Sequence, residues 1–408
     1  MRILFVTPYV PSPVRVRPYQ LIRALSGEGH QVHLVALQPP EDAWASADAL
    51  EASGVSVDVF PLPRARTLWN GLAVLPRRLP FQAAYSHHPT VERHIEQVAT
   101  HGAFDVVHVE HLRGAVLARR ITTLPRVFDA VDSISLLFRQ AARQAPGRLQ
   151  RLMAAADLRR TRRFEARAPF EFDRTIVTSP ADRAEFVRLA GPAAERSVTV
   201  VPNGVDVTYF RPSGQGRDST TVLFTGKMSY HANAAAALFL ARRVMPEVWR
   251  TYPAARLAIV GKGPSSDLLA LASDPRVEVT GYLEDIRPWF ARATVAAAPM
   301  LYGAGIQNKV NEAMASGVPV VATSRTGDAL AAEAGRHFLV GDSTDQIASQ
   351  ILRVLGDKEL AAALGAAGRH YVEQRHDWQQ IARHLAGLYE EARATRTEVR
   401  AARFSYPA

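Results

Sequence analysis

The sequence has no cysteine and almost no lysine. The absence of cysteine excludes disulfides and thiolate metal sites, and it favours a cytoplasmic protein. Lysine supplies only four of the 49 basic residues, namely Lys227, Lys262, Lys309 and Lys358. No apolar run approaches the roughly 18 residues that a membrane span needs, and no signal peptide follows the first apolar segment. These absences predict a soluble globular chain, and 408 residues are enough for two domains.

Positive charge is concentrated in one stretch of a chain whose net charge is +10. Between Arg139 and Arg167 stand nine arginines and only two acidic residues. Such a run is either a docking surface for an anionic membrane or a phosphate-bearing acceptor, or a solvated helix face, and both readings stay open. Nucleic acid is not an expected partner, because aromatic residues are not interleaved and no known binding motif is present.

Short buried-strand patterns alternate with helical patterns in both halves of the chain. Predicted strands in the two halves cover residues 2–6, 32–36 and 105–109, and then 221–225, 257–260, 277–280, 295–298 and 318–322. This alternation predicts α/β structure with doubly wound parallel sheets, whose ligands bind at the carboxyl ends of the strands. A turn-forming Pro202-Asn203-Gly204 separates the halves, so the chain is expected to form two Rossmann-like domains around a cleft.

The most informative segment covers residues 299–323. A predicted strand ends at Pro299, a loop with Gly303 and Gly305 follows, and a helix starts near Ile306. Glycines allow a ligand to approach the backbone closely, and the amides at a helix N-terminus favour an anion such as a diphosphate. Glu312 follows in that helix, where its carboxylate could accept hydrogen bonds from a ribose diol. Lys309 is either part of this site or an i,i+3 ion-pair partner of Glu312.

This segment resembles the glycine-loop helix of glycosyltransferase family 4, a retaining family with the GT-B fold. Further similar motifs, in the family's order, are PNGVD at 202–206, FTGKM at 224–228, IVGKGP at 259–264, TGYLED at 280–285 and HDW at 376–378. The resemblance covers the chain to about residue 390, and the nearest likeness is to exopolysaccharide-type sugar transferases of polysaccharide biosynthesis. It implies an acceptor domain at 1–195, a nucleotide-sugar domain at 196–378 and, at 379–408, a helix returning to the N-terminal domain followed by a tail.

The resemblance also assigns the donor site. It implies that Glu312 binds the ribose, that Lys227 contacts the diphosphate, and that Tyr282 and Leu283 hold the base. The diphosphate and sugar hydroxyls would be bound by Gly303, Ala304, Gly305, Ile306, Gln307 and Asn308, with Lys309 beside them. Two positions depart from the family pattern. Ala304 replaces the usual first glutamate, and neither Ala232 nor Asn233 supplies the second cation expected next to the diphosphate. These losses put the selectivity for the donor sugar and the strength of the diphosphate clamp in question.

In the N-terminal half, the stretch from Asp105 to His111 resembles the family's histidine loop, in which an imidazole meets the donor sugar. His111 is the candidate, while the usual second histidine falls on Glu110. Arg15 and Arg17 follow a proline-rich loop and are candidates for binding an acceptor or a phosphate. Asp132 is a possible acceptor contact, although an aspartate with serines after a strand more often caps the next helix.

The expected activity is transfer of a sugar from a UDP-, GDP- or dTDP-linked donor to a glycan, a lipid-linked saccharide or a small molecule. The resemblance implies front-face substitution with retention, in which the leaving diphosphate takes the acceptor proton, and Lys227, Glu312 and His111 are the expected catalytic residues. No DxD metal motif stands in the expected loop, so metal independence is expected and no cofactor is needed. A peripheral position at the inner membrane face is left open. A nicotinamide oxidoreductase is rejected because the first turn lacks GxGxxG, an epimerase lacks placeable acid/base pairs, and an inactive nucleotide-sugar-binding module remains the alternative.

Overall fold

The structure is a computed structural model that describes residues 1–13, 15–42, 46–73, 79–144, 148–214, 220–301 and 308–404. Its contacts divide the chain into two compact units. The first unit contains Met1–Pro202 together with Trp378–Ala408, and the second contains Asn203–Asp377. The first unit continues past residue 195 because the strand at Val198–Val200 pairs with its sheet, Thr175 lying opposite Val198.

The first unit is built on a seven-stranded parallel sheet in the order β3-β2-β1-β4-β5-β6-β7. Its strands are β1 (Arg2–Thr7), β2 (Gln31–Gln38), β3 (Ser56–Pro61), β4 (Val106–Glu110), β5 (Arg126–Val131), β6 (Arg174–Val177) and β7 (Val198–Val200). Its helices up to Pro202 are α1 (Val16–Gly27), α2 (Asp48–Glu51), α3 (Arg64–Ala73), α4 (Phe81–Tyr85), α5 (Pro89–His101), α6 (His111–Ala115), α7 (Ile134–Gln144), α8 (Arg148–Glu171) and α9 (Pro180–Ala190). The central strands are continuous apolar runs because helices cover both faces of a parallel sheet.

The second unit is built on a six-stranded parallel sheet in the order β10-β9-β8-β11-β12-β13. Its strands are β8 (Thr221–Thr225), β9 (Arg256–Val260), β10 (Val277–Val279), β11 (Val295–Ala298), β12 (Val320–Ala322) and β13 (Leu339–Val340). Its helices are α10 (His231–Phe239), α11 (Met245–Thr251), α12 (Ser266–Leu269), α13 (Arg287–Arg292), α14 (Asn308–Ala315), α15 (Ser324–Leu330), α16 (Thr344–Gly356) and α17 (Lys358–Arg375). β12 begins two residues later than predicted, since Pro319 has no N–H to donate to a neighbouring strand.

The final helix, α18 (Trp378–Phe404), packs on the first unit's sheet and on α1. Trp378, Leu385 and Tyr389 are buried in the same core as Ile3 and Phe5 of β1. The helix therefore completes one face of the first sheet, although it follows the second unit in the chain. The predicted fold class, two parallel Rossmann-like sheets with a returning C-terminal helix, is confirmed.

The described helices were also searched for membrane spans. None of those within the described ranges is long and apolar enough to cross a bilayer.

Candidate functional site

Each sheet contains one point at which the strand order reverses. In the first unit, β1 lies between β2 and β4, and in the second β8 lies between β9 and β11. The loops that leave the two strands at such a point diverge to opposite faces, and the crevice between them is where open α/β sheets bind ligands. The predicted site residues Arg15 and His111 follow β1 and β4, while Lys227 and Lys309 follow β8 and β11. The topology thus brings residues distant in sequence to one crevice in each unit.

In the second unit, two glycine turns form one wall of that crevice. Gly226 follows β8 with φ +153°, and Gly261 follows β9 with φ +145°. A Cβ on Gly261 would lie 1.8 Å from the carbonyl oxygen of Gly226, so no side chain fits there. Residues other than glycine also rarely adopt this φ. The amide of Met228 donates to the carbonyl of Lys262 at 2.8 Å, which joins the two loops. Lys227 is exposed on this wall.

Helix α14 forms the opposite wall and carries the predicted ribose ligand. Its first described residue, Asn308, has a buried Oδ1 that no described residue contacts through a hydrogen bond. Glu312 is half-buried in the second turn, and its carboxylate has no hydrogen bond within the described ranges. Burial raises the pKa of Glu312 to about 7, while the charge of Lys309 opposes that rise. Hydrogen bonds from ligand hydroxyls would stabilise the charged form of such a carboxylate. The predicted loop residues Gly303, Ala304, Gly305, Ile306 and Gln307 lie outside the described residues.

Lys309 joins the two walls. Its ammonium donates to Asn233 Oδ1 at 3.0 Å and lies 3.8 Å from the sulfur of Met300. The Asn233 amide in turn donates to the carbonyl of Lys227 at 3.0 Å. Burial lowers the pKa of Lys309 to about 8, and the charge of Glu312 opposes that shift. Lys309 therefore does more than form the i,i+3 contact that its spacing to Glu312 suggested.

The predicted base-binding loop follows β10. Gly281 turns the chain with φ +72°, which leaves Tyr282 70% exposed while Leu283 packs against the core. The ammonium of Lys262 lies over the Tyr282 ring at 5.8 Å from its centroid. An exposed aromatic face beside the glycine wall could stack with a nucleobase. The assignment of Tyr282 and Leu283 remains a prediction.

In the first unit, two strained residues mark the ends of neighbouring strands. His111 directly follows β4 with φ +63°, and Val131 ends β5 with φ +65°. A β-branched residue in the left-handed region is costly, and such strain clusters at functional sites. His111 Nδ1 accepts the amide of Arg113 at 3.2 Å. Burial and then Arg113 lower the pKa of His111 to about 3, so a role for His111 would use the neutral imidazole.

Glu110 ends β4 and is almost fully buried. Tyr9 donates its hydroxyl to Glu110 Oε1 at 2.9 Å, whereas Oε2 is buried without a hydrogen-bond partner among the described residues. Burial and then the charge of Asp129 raise the pKa of Glu110 to about 8. At neutral pH this carboxyl is therefore mostly protonated, which avoids the cost of a buried negative charge.

The two arginines predicted to bind an acceptor have different environments. Arg15 is 40% exposed, forms an ion pair with Asp42 at 2.8 Å, and lies over the ring of Tyr9. Arg17 is buried: its Nε donates to Asp129 at 2.8 Å, and its Nη atoms donate to the carbonyls of Val201 and Pro202 at 3.0 and 3.1 Å. Because its guanidinium is committed to internal partners, the expectation for Arg17 is revised from acceptor binding to positioning of Asp129. The acceptor-binding role of Arg15 stays a prediction.

Two polar residues directly after β5, Asp132 and Ser133, have different roles. Ser133 accepts the amide of Leu136 at 3.2 Å and so caps α7. Glu165 accepts from the hydroxyl of Ser133, which ties α8 to this cap. Asp132 is half-buried and accepts from the Thr178 hydroxyl at 3.1 Å. Burial and then Asp182 raise the pKa of Asp132 to about 6. The capping interpretation therefore fits Ser133, while Asp132 remains an acceptor candidate.

Three residues of these crevices escaped the sequence analysis. Tyr9 and Asp42 lie in loops whose partners are distant in sequence, and Asn233 appeared only as the place of a missing cation. One usable signal existed for Glu110, which stands where a second histidine was expected. An acid at the end of a buried strand is costly as a free charge, so it must be protonated, paired within the protein or bound by a ligand.

Two parallel Rossmann-like sheets, each with polar groups at its switch point, define a protein of the GT-B class. A family model described as "Glycosyl transferase 4-like domain" matches residues 14–204, and one described as "Glycosyl transferases group 1" matches residues 219–357. The chain belongs to glycosyltransferase family 4, as the motifs indicated.

Two curated relatives illustrate the match. A GDP-mannose-dependent alpha-(1-6)-phosphatidylinositol monomannoside mannosyltransferase of Mycobacterium tuberculosis is 30% identical over 239 residues, which cover 52% of this chain and 60% of that protein. A phosphatidyl-myo-inositol mannosyltransferase of Mycobacterium leprae is 26% identical over 429 residues, 98% of this chain and 100% of the relative. The match to the Mycobacterium tuberculosis relative thus spans less than two thirds of that protein's length.

Among solved structures, Anabaena HepE in complex with UDP-glucose superposes with a TM-score of 0.67. The match covers 96% of this chain and 100% of HepE, at 17% sequence identity. At this identity the likeness establishes the GT-B fold and nothing further.

Proposed function

We propose that this protein transfers a hexose from a nucleoside-diphosphate donor to an acceptor, with retention of the anomeric configuration. The observation that carries the proposal is the crevice between β8 and β11, where Glu312, Lys309 and the Gly226 turn converge. A carboxylate for a diol, a cation for a diphosphate and a bare backbone for close approach are what a nucleotide-sugar requires. Membership of a retaining family supports retention.

The protein's share of the chemistry is positioning and electrostatic stabilisation. Lys227 and the N-terminus of α14 stabilise the negative charge of the departing diphosphate, which itself receives the acceptor proton. Glu312 holds the ribose and so fixes the donor. His111 offers a neutral imidazole as a hydrogen-bond partner for a sugar hydroxyl. The reaction requires no metal, because these groups supply the positive charge.

The donor and the acceptor follow from the relatives only as proposals. The Mycobacterium tuberculosis relative is named for GDP-mannose and a phosphatidylinositol monomannoside, which supports a GDP-linked donor and a lipid-linked acceptor. HepE was solved with UDP-glucose, which keeps UDP-linked donors in the test. Arg15 and Asp132, which follow strands β1 and β5 of the first unit, are assigned to the acceptor. The protein is expected to work in the cytoplasm.

The test is a panel of GDP-, UDP- and dTDP-sugars scored first by thermal stabilisation, since ligand occupancy raises the melting temperature. Donors that bind are then offered acceptors, and the anomeric configuration of the product is read by NMR. Glu312→Ala, which removes the proposed ribose ligand, is the negative control and should show weaker donor binding. Binding without turnover on lipid-linked, glycan or small-molecule acceptors would favour an inactive binding module, and an inverted product would refute retention.

We propose further that the first unit contacts an acidic membrane surface. A cavity of about 320 Å³ is lined by the segment before α4, the end of α6 and the last turns of α8. Phe164 and Phe172 belong to its apolar lining, and its charged lining contains one acid, Glu171. Arg163 and Arg167 stand at the same cavity, are exposed, and have no acidic partner among the described residues. Exposed Phe170, three residues on, adds an apolar group to this cationic face. Cations around an apolar cavity match acidic phospholipid.

Sedimentation with vesicles of phosphatidylcholine, with and without phosphatidylglycerol, tests this contact. Binding is expected only to the acidic vesicles, to weaken with salt, and to be lost in the double variant Arg163→Glu, Arg167→Glu. Arg196→Glu reverses an exposed arginine elsewhere in the same unit and should leave binding nearly intact. Equal losses in all the variants would mean that net charge alone attracts the protein.

A further inference from the structure

One arginine at the first unit's switch point is half-buried and has no acid to pair with. Arg113 lies in the short helix α6, two residues after His111. Its guanidinium carbon lies over the ring of Tyr85, 4.9 Å from the centroid. Its Nε is buried without a hydrogen-bond partner, and no Asp or Glu among the described residues forms an ion pair with it.

The backbone holds this arginine at the ends of two neighbouring strands, β1 and β4. The amide of Arg113 donates to His111 Nδ1 at 3.2 Å, which fixes the turn that follows β4. A Cβ on the next residue, Gly114, would lie 3.5 Å from Pro8 Cδ. Helix α6 therefore packs directly against the loop that leaves β1, which places Arg113 at the carboxyl-end edge where such sheets bind ligands.

A second guanidinium lies at the same edge. Tyr9, in the loop after β1, donates its hydroxyl to Glu110 at the end of β4, and Arg15 lies over the Tyr9 ring at 4.6 Å from the centroid. Burial lowers the pKa of His111 to about 3, and the charges of Arg113 and Arg15 lower it further. Two cations therefore flank the residues that end β4.

The charges at this edge do not cancel. Arg17 and Arg15 are each paired with an aspartate. Burial raises the pKa of Glu110 to about 8, so at neutral pH it offers little negative charge. Asp132, after β5, accepts a hydrogen bond from a threonine hydroxyl and forms no ion pair with a described arginine. Arg113 is thus a half-buried cation without a counter-charge in the described part of the chain, a costly state that an adjacent anion would relieve.

We infer that Arg113 binds a phosphate or carboxylate group of the acceptor at the end of β4. The inference rests on the proposed function, because it presumes that the acceptor binds at the strand ends of the first unit. It goes further by giving the acceptor a chemical class, since only an anionic acceptor uses this residue. A guanidinium suits both anions, because its planar fork can donate to two oxygens at once.

The test offers matched pairs of acceptors together with whichever donor the wild type uses. A hexose 1-phosphate and a methyl hexuronoside are compared with the neutral methyl hexoside, in the manno and gluco series. Phosphatidylinositol is compared with inositol, which separates a lipid-borne phosphate from a free sugar phosphate. The wild type should favour one of the anionic acceptors over its neutral counterpart by about 10- to 100-fold in kcat/KM.

Arg113→Gln should remove that preference. The variant should lower kcat/KM for the anionic acceptor by about 10- to 100-fold, mainly through the acceptor KM, and leave the donor KM and the neutral acceptor nearly unchanged. Arg113→Lys keeps the charge without the fork and should recover part of the loss. Arg196→Gln removes an exposed arginine elsewhere in the unit and is the matched control. Thermal unfolding of each variant shows whether it is folded.

The outcomes separate two failures. If the wild type transfers sugar to none of these acceptors, the proposed function fails and this inference falls with it. If the wild type is active but uses neutral and anionic acceptors equally, or if Arg113→Gln loses both in parallel, the proposed function stands and the role of Arg113 is refuted. A preference confined to phosphates or to the uronoside identifies which anion Arg113 binds.

Discussion

The Nε atom of Arg17 lies 2.8 Å from Asp129 Oδ2, and neither side chain is more than 6% exposed. This buried ion pair joins the start of α1 to the end of β5, and the same guanidinium binds the carbonyls of Val201 and Pro202. It therefore holds the start of α1, the end of β5 and the segment that leads out of the first unit at Pro202 together.

Removing one partner of this pair should leave the other charge buried and uncompensated. Arg17→Ala is expected to lower the free energy of unfolding by about 3–5 kcal/mol. Arg17→Lys should recover little, since one ammonium cannot replace the fork that reaches three acceptors. Arg23→Ala, an exposed arginine of the same helix, should stay within about 0.5 kcal/mol of wild type in urea unfolding. A mild Arg17→Ala phenotype would show that the pair is dispensable.

Glu312→Gln should raise the stability of the protein at alkaline pH while it weakens donor binding. Because burial raises the pKa of Glu312 from 4.5 to about 7, the wild type loses stability as pH rises through this interval. The variant lacks an ionisable group, so at pH 8 it should be more stable than wild type by on the order of 1–3 kcal/mol. Near pH 4.5 the difference should disappear. Thermal unfolding across this range measures it.

The same variant should bind donor nucleotides more weakly. An amide cannot replace a carboxylate that accepts from two ribose hydroxyls, and the loss should be about 1.5–3 kcal/mol by titration calorimetry. The 2′-deoxynucleotide should lose less, because one of the two hydroxyls is already absent. A variant that is more stable but binds as well as wild type would remove Glu312 from the donor site.

Ionisation of Glu110 should make the free energy of unfolding fall as the pH rises toward 8. Its pKa in the folded protein is about 8 against an ordinary value of 4.5, so stability is present at low pH and is lost as pH rises to about 8. Glu110→Gln imitates the protonated acid and should flatten this slope, with a gain on the order of 2–4 kcal/mol at pH 9. Tyr9→Phe removes the hydrogen bond but keeps the acid, and should leave the slope in place. A slope that survives in Glu110→Gln would belong to another group.

Gly261→Ala should damage the second unit severely. The new Cβ would lie 1.8 Å from the Gly226 carbonyl at a φ of +145°, so both the contact and the backbone conformation are unfavourable. We expect a loss on the order of 2–5 kcal/mol together with weaker donor binding. Gly387→Ala, in α18 with nothing within 4 Å of its Cβ, should be neutral or stabilising. Similar effects at both positions would contradict the close approach of the two turns.

Metal removal tests the proposed source of positive charge. If Lys227, Lys309 and the start of α14 stabilise the leaving diphosphate, turnover should persist after dialysis against EDTA. Added Mg²⁺ or Mn²⁺ should change the rate by less than about twofold, well below the several kcal/mol that an essential metal contributes. A rate that collapses with EDTA and returns with a divalent cation would refute metal independence.

Much of this protein follows from local patterns that the sequence carries by itself. Continuous apolar runs at β1, β8 and β11 predict parallel strands, because only strands covered on both faces can be apolar throughout. The glycines of FTGKM and IVGKGP predict tight turns, and the order of the motifs indicates the family. The helix that contains Glu312 predicts that this residue is a donor ligand.

Tertiary structure decided which of the polar residues have their charge committed to internal partners. Arg15 and Arg17 look alike in sequence, yet one is 40% exposed and the other is buried against Asp129. Lys309 looks like a helical partner of Glu312, yet it reaches Asn233, 76 residues earlier in the chain. Such pairings depend on strand order and on burial, which are set by the packing of whole sheets. Since a charge's partner and its pKa are properties of that packing, local sequence could nominate these residues but could not assign their roles.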